Sequence, residues 1–186
     1  MDTRNDGNEL TPKTVLPLFG VEWTKPWTWH GWQTSLDEAI RTSLAQTMIG
    51  PAPSPQETKA VRAYLESLQL PPNPYVGPQG ALSESAARGR DLFFSSKAAC
   101  ADCHHGPELT DNQIHDVGLG SEDDFYRGFN TPSLRGGYRK VRWLHHGRAK
   151  SLHRVVTDLH SPEKVNGTAP LSAQEAADLI EYLKTL

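Results

Sequence analysis

Cys100-Ala101-Asp102-Cys103-His104 is the stretch from which the rest of the chain is read. C-x-x-C-H is the attachment signature of a c-type haem. The spacing has a chemical reason. Two thiols on one turn can each bond to one vinyl-derived carbon of the porphyrin, and the imidazole next in line swings under the iron as its proximal ligand. Three other readings compete. A zinc site needs about two more ligands at matched spacing, and the chain has no other cysteine. A thioredoxin-like dithiol does not require the histidine. A Cys100–Cys103 disulfide closes a loop too short to constrain an unfolded chain much. Covalent haem on Cys100, Cys103 and His104 is the expectation.

Working outward, 186 residues suit one domain or two small ones. A net charge of -3 supplies no basic surface and argues against nucleic acid as a partner. A hydrophobic content of 37% is lean for a globular chain, and a haem would add apolar surface to pack around. Fifteen glycines and 14 prolines predict many loops and turns. No run approaches the ~20 apolar residues of a membrane helix. Met1-Asp2-Thr3-Arg4-Asn5-Asp6 leads into no apolar signal core. Covalent haem attachment takes place outside the cytoplasm, so the expectation is a periplasmic, bacterial protein. On that view the chain is a processed product or the C-terminal part of something longer.

Residues 1–15 are polar and read as loop. Leu16 to Gly20 should pack, and Trp27, Trp29 and Trp32 read as core anchors. Ser35 with Glu38 opens a helix that Gly50-Pro51 stops. Ser54-Pro55-Gln56-Glu57 caps a second helix, and Pro71-Pro72-Asn73-Pro74 makes a stiff linker. A new unit begins near Ala81, with a capped helix from Ser83 to Phe94 leading to the haem motif. Residues 106–128 read as Gly- and acid-rich loop. A helix from Ser151 to about His160 follows, then a last one from the capping box Ser172-Ala173-Gln174-Glu175 to Leu186. The expected division is 1–80 and 81–186.

The two parts share an internal repeat. Trp29-His30-Gly31 before Leu36 parallels His145-His146-Gly147 before Leu152, and Leu18 and Leu134 each precede that glycine by thirteen residues. The helix from Ser54 to Leu68 parallels that from Ser172 to Leu186. The chain thus holds two copies of one module's second half, and only the second copy keeps the half with the haem motif.

With these residues in view, the chain resembles the bacterial dihaem cytochrome c peroxidase and MauG-like family, which is built from two related cytochrome c modules. The matching residues are Arg88-Gly89-x-x-Leu92-Phe93 ahead of Cys100-x-x-Cys103-His104, then Thr110-Asp111, His115-Asp116-Val117-Gly118 and Thr131-Pro132-Ser133-Leu134-Arg135. Trp143-Leu144-His145-His146-Gly147 and Asp178 to Leu183 complete them. The resemblance implies that residues 81–186 are the family's high-potential, electron-accepting module and that residues 1–80 are a truncated, haem-less first module. The family's F-W-D-G-R motif reads Thr28-Trp29-His30-Gly31-Trp32, so Trp29 inherits the role of the tryptophan that passes electrons between haems. The catalytic Glu-Met pair reads Thr47-Met48, without the Glu.

For the sixth iron ligand, the resemblance points to the helix after the second H-x-G motif, where Leu159 falls at the ligand position and cannot bind iron. His160 is next along, so paired ligation by His104 and His160 is the expectation; Met48 is the rival, and an open five-coordinate iron the third possibility. Arg135 is the first candidate partner for a haem propionate, ahead of Arg148 and Arg142. His146 is expected near the haem, with His115 and His145 as hydrogen-bonding scaffold. The resemblance also implies a calcium ion between modules. Glu108, Asp111, Asp116, Glu122, Asp123 and Asp124 would suit it, against the simpler reading of a solvated acidic face.

The expected fold is mostly α: a cytochrome c-like helical domain around one c-type haem, with a helical remnant of a second module beside it. The expected function is single-electron transfer to a redox partner protein or a second haem domain, within a larger multi-haem redox protein. The alternative is a peroxidase or MauG-like oxidase acting on hydrogen peroxide, with His146 or His30 as acid–base group; the missing Glu argues against it. A redox-inert domain that keeps only the fold is the third reading.

Overall fold

The computed structural model describes residues 13–124 and 126–186. Of the loop expected over residues 1–15, residues 1–12 lie outside these ranges. The described chain is mostly helical. Six α-helical segments occur in order: α1 (Leu36–Thr42), α2 (Pro55–Glu66), α3 (Glu84–Phe93), α4 (Leu152–Arg154), α5 (Pro162–Asn166) and α6 (Ala173–Lys184). Two short strands, β1 (Ile114–His115) and β2 (Phe129–Asn130), pair antiparallel, β1 within the stretch 106–128 expected to be loop and β2 just after it. The short helix α5 was also not foreseen; Ser161 caps it and Pro162 takes its first position, where a missing N–H costs nothing.

The helix starts follow the sequence because caps act locally. Ser35 and Ser83 accept from the backbone three residues on. Ser54 and Ser172 form full capping boxes with Glu57 and Glu175, satisfying orphan N–H groups at both ends of the exchange. The helix expected from Ser151 to His160 departs from regularity. Only Leu152–Arg154 is α-helical, and Val155–Leu159 forms a wider π-turn closed by the His160 N–H on the Val155 carbonyl at 2.8 Å. Such a turn inserts one extra residue into the helical register. Leu159 consequently packs beside Trp29, Leu119 and Phe129, and His160 takes the next position.

The internal repeat is repeated in the backbone. Gly20 and Gly136 are both left-handed and both open a 3-10 turn, Val21–Trp23 and Gly137–Arg139. Thr28 and Leu144 are left-handed, as are Gly31 and Gly147. Isolated antiparallel bridges join Trp27 to Gln33 and Trp143 to Ala149. An α-turn running into a π-turn follows in each copy, Leu36–Thr42 with Ser43–Thr47 and Leu152–Arg154 with Val155–Leu159. Each copy then ends in a twelve-residue, box-capped helix.

Helices α3 and α6 cross at the centre of the larger core, where Phe93, Val156, Ala176, Leu179 and Tyr182 are buried together. Gly89 makes the crossing possible: a Cβ there would stand 1.9 Å from the Asp178 carbonyl oxygen. A smaller cluster of Val21, Leu36, Ile40 and Leu65 closes the first copy. Trp29, Leu119 and Phe129 form a third cluster that joins the two copies.

Candidate haem site

The C-x-x-C-H stretch leaves α3 through a left-handed Ala99 and forms a 3-10 turn, Cys100–Asp102, with the His104 N–H on the Cys100 carbonyl at 2.9 Å. That turn brings Cys100, Cys103 and His104 to one wall of an apolar cavity enclosing about 1390 Å³ between atoms, its open mouth included. Phe93, Leu134, Val156 and Leu179 supply apolar wall, and His160 also lines it. Trp29, from the first copy, lines the same cavity, held by its indole N–H on the Thr14 carbonyl at 2.6 Å.

The donor chemistry fits a covalent haem. His104 Nδ1 lies 3.1 Å from the Leu109 carbonyl oxygen. A carbonyl only accepts, so Nδ1 carries the proton and Nε2 presents its lone pair. Burial, with the nearby His160 adding to it, pushes the His104 pKa down to about 4, so the ring is neutral at pH 7 and its lone pair is available to a metal. Burial lowers the His160 pKa as well, and His160 Nδ1 is buried with no hydrogen-bond partner. Cys100 and Cys103 are not joined to each other by a disulfide. Burial pushes Cys100 up to about 12 and also raises Cys103. A redox dithiol depends on a depressed thiol pKa, so this environment is the reverse of what that reading needs.

The other expected residues fall in different places. Met48 is 68% exposed and away from the cavity. Arg135 points outward, donating to the Pro107 carbonyl at 3.3 Å with Glu108 3.8 Å away. Arg142 donates to the Gly147 carbonyl at 3.3 Å and Arg148 to that of Leu119. His146 does not line the cavity: its Nε2 lies 3.3 Å from the Lys13 ammonium and 3.6 Å from Asp124. The residue before it, His145, takes the inward place, because left-handed Leu144 turns the chain there. His145 is 2% exposed, stacks on Phe129 at 3.9 Å, and leaves Nε2 buried without a partner.

The acidic loop does not gather into one cluster. Asp111 pairs with His115 at 2.7 Å, Glu108 faces Arg135, and Asp124 is buried against Lys13. Lys13 and Asp124 are each 2% exposed at the side chain, so the polar character of that stretch does not translate into solvation here. Lys140, which no sequence pattern singles out, lines the cavity half-buried, and only the tertiary structure places it there.

These features fit a helical protein that would hold a haem through two thioethers and a histidine. The pattern of the family described as Cytochrome c matches residues 86–186, and the chain belongs to that family, which implies covalently held haem c. Over 94% of its length it is 26% identical to hydrazine synthase subunit gamma of Kuenenia stuttgartiensis and 25% identical to the methylamine utilization protein MauG of Methylorubrum extorquens. It spans 64% of the length of each. A cytochrome-c peroxidase, IdrP1 of a Pseudomonas species, is 28% identical over 59% of the chain. A solved hydrazine synthase chain from Kuenenia stuttgartiensis superposes with a TM-score of 0.87 at 23% identity, covering all of this chain and 76% of that one, so the fold is shared.

Proposed function

We propose that this chain is an electron-transfer module carrying one covalent haem c, ligated by His104 and His160, within a larger redox protein outside the cytoplasm. The carrying observation is the shared cavity, lined by Cys100, Cys103 and His104 together with His160, whose Nδ1 is uncommitted. When bound, the haem supplies an iron that takes up and releases one electron. The chain's own part is to hold both imidazoles neutral by burial and to surround them with apolar side chains, which tunes the potential. With His104 and His160 both holding the iron, no position on it would be left for a substrate. Trp29, between the two copies and against the cavity, is the proposed path toward a redox partner. Among the described residues no helix is long and apolar enough to cross a membrane.

A peroxidase or MauG-like oxidase is the second reading, favoured by buried His145, which lines the cavity with an unpartnered Nε2 available for a hydrogen bond to a small substrate; its pKa, pushed down to about 3 by burial, makes it a weak base. Electronic and EPR spectra of the haem-loaded protein separate the two. A low-spin spectrum indifferent to hydrogen peroxide, turning high-spin in His160→Ala, is expected for electron transfer. A high-spin ferric spectrum that changes with peroxide would replace it by the enzyme.

A further inference from the structure

We propose that Lys140 receives a haem propionate, so that the carboxylate-bearing edge of the haem lies against the wall Lys140 forms. The proposal rests on the haem reading above and adds the orientation of the group within the cavity. Lys140 follows the 3-10 turn Gly137–Arg139 in extended backbone. It lines the main cavity and also a second cleft, which shares Trp29, Trp143 and Leu144 with it and adds Arg139 and Arg142. The lysine therefore stands in the partition between them.

Lys140 is half-buried, its ammonium is partly desolvated, and among the described residues no carboxylate forms an ion pair with it. The titratable residues on the cavity wall are Cys100, Cys103, His104, His115, His145 and His160, with Lys140 itself; those of the cleft are Arg139 and Arg142; neither lining contains an acid. A cation drawn partly out of water onto an apolar wall favours an anionic partner there. The group that fills the cavity bears two carboxylates on one edge and no other charge outside the iron, which makes that edge the complement to Lys140. The competing cations are engaged: Arg142 on the Gly147 carbonyl, Arg139 stacked 5.0 Å over the Phe19 ring, and Arg135 turned outward.

The test uses the haem-loaded chain. A haemochrome spectrum in alkaline pyridine first verifies covalent attachment; without it the underlying haem reading fails, and this proposal with it. Midpoint potentials of wild type, Lys140→Met and Lys140→Arg are then measured from about pH 5 to pH 8, the window in which an uncompensated buried carboxylate titrates. Loss of the cation should lower the potential in the Met variant and give it a pH slope absent from wild type, and Arg should restore both. A Met variant that keeps its haem, potential and pH independence overturns the proposal. So does a Met variant that turns from low-spin to high-spin, since Lys140 would then bind iron. Should the Met variant lose its haem, resonance Raman propionate bending bands decide between wild type and Lys140→Arg: a shifted band supports the pairing, and an identical one overturns it.

Discussion

Gly89 of α3 lies directly on the backbone of Asp178 in α6: a Cβ added to the glycine would come within 1.9 Å of the Asp178 carbonyl oxygen and 2.9 Å of the Tyr182 Cβ. Both obstacles belong to a rigid helix, so neither can swing aside. Gly89→Ala must push the helices apart and loosen the Phe93–Tyr182 contact, whose ring centroids are 5.3 Å apart. We expect a loss of about 3 kcal/mol in urea unfolding, in the range of overpacked cores. A loss under about 0.5 kcal/mol, typical of a neutral surface change, would mean that the crossing is looser than described.

The same crossing carries a charge network. Asp178 accepts from Arg88 at 2.8 and 2.9 Å, from Ser85 at 2.6 Å and from Gln174 at 3.0 Å. The Arg88 guanidinium and the Ser85 hydroxyl hold its carboxyl far below the usual carboxylate range. Its folded pKa is depressed, so its contribution is present above the unfolded value near 4 and is lost as pH falls toward the folded one. Asp178→Asn should be less stable than wild type at pH 7, and the gap should close in the acid limb. Parallel curves from pH 7 to pH 2 would contradict this.

His145 has an acid dependence of its own. Burial first, then the charges of His146, Lys13 and Arg148, push its pKa down to about 3. The unfolded chain binds a proton near pH 6.5 and the folded one does not, so stability is present above that pH and is lost progressively below it. His145→Phe, which keeps a ring against Phe129, should flatten the profile between about pH 6.5 and pH 3. An unchanged slope would show that His145 does not carry it.

Capping offers a local test of the repeat. The Glu175 N–H donates to Ser172 Oγ at 3.2 Å, and the Glu57 N–H to Ser54 Oγ at 3.3 Å. Ser172→Ala and Ser54→Ala should each cost about 1 kcal/mol. Thermal melts of both variants check this; a negligible change in either would show that its helix start is held by packing alone.

Much of this protein is legible in its order of residues because the relevant physics is local. A serine three residues before a glutamate caps a helix wherever it stands, which marks the starts of α2 and α6. C-x-x-C-H carries its chemistry in its own spacing, and the repeat of Trp29-His30-Gly31 in His145-His146-Gly147 is written in identity and distance along the chain. Helical architecture, the haem motif and the family resemblance follow from such short-range signals.

The tertiary structure decided which members of each motif face inward. His145 and His146 are adjacent and chemically identical; only left-handed Leu144 and the buried Lys13–Asp124 pair send one to the cavity and the other away from it. The π-turn at Val155–Leu159 sets Leu159 against Trp29 and His160 on the cavity wall, a one-residue shift that no local pattern announced. Lys140 in the sequence is one lysine among exposed-looking cations. Its partial desolvation comes from the meeting of the Gly137–Arg139 turn with walls contributed by residues distant along the chain, and desolvation of a charge is a property of that whole enclosure.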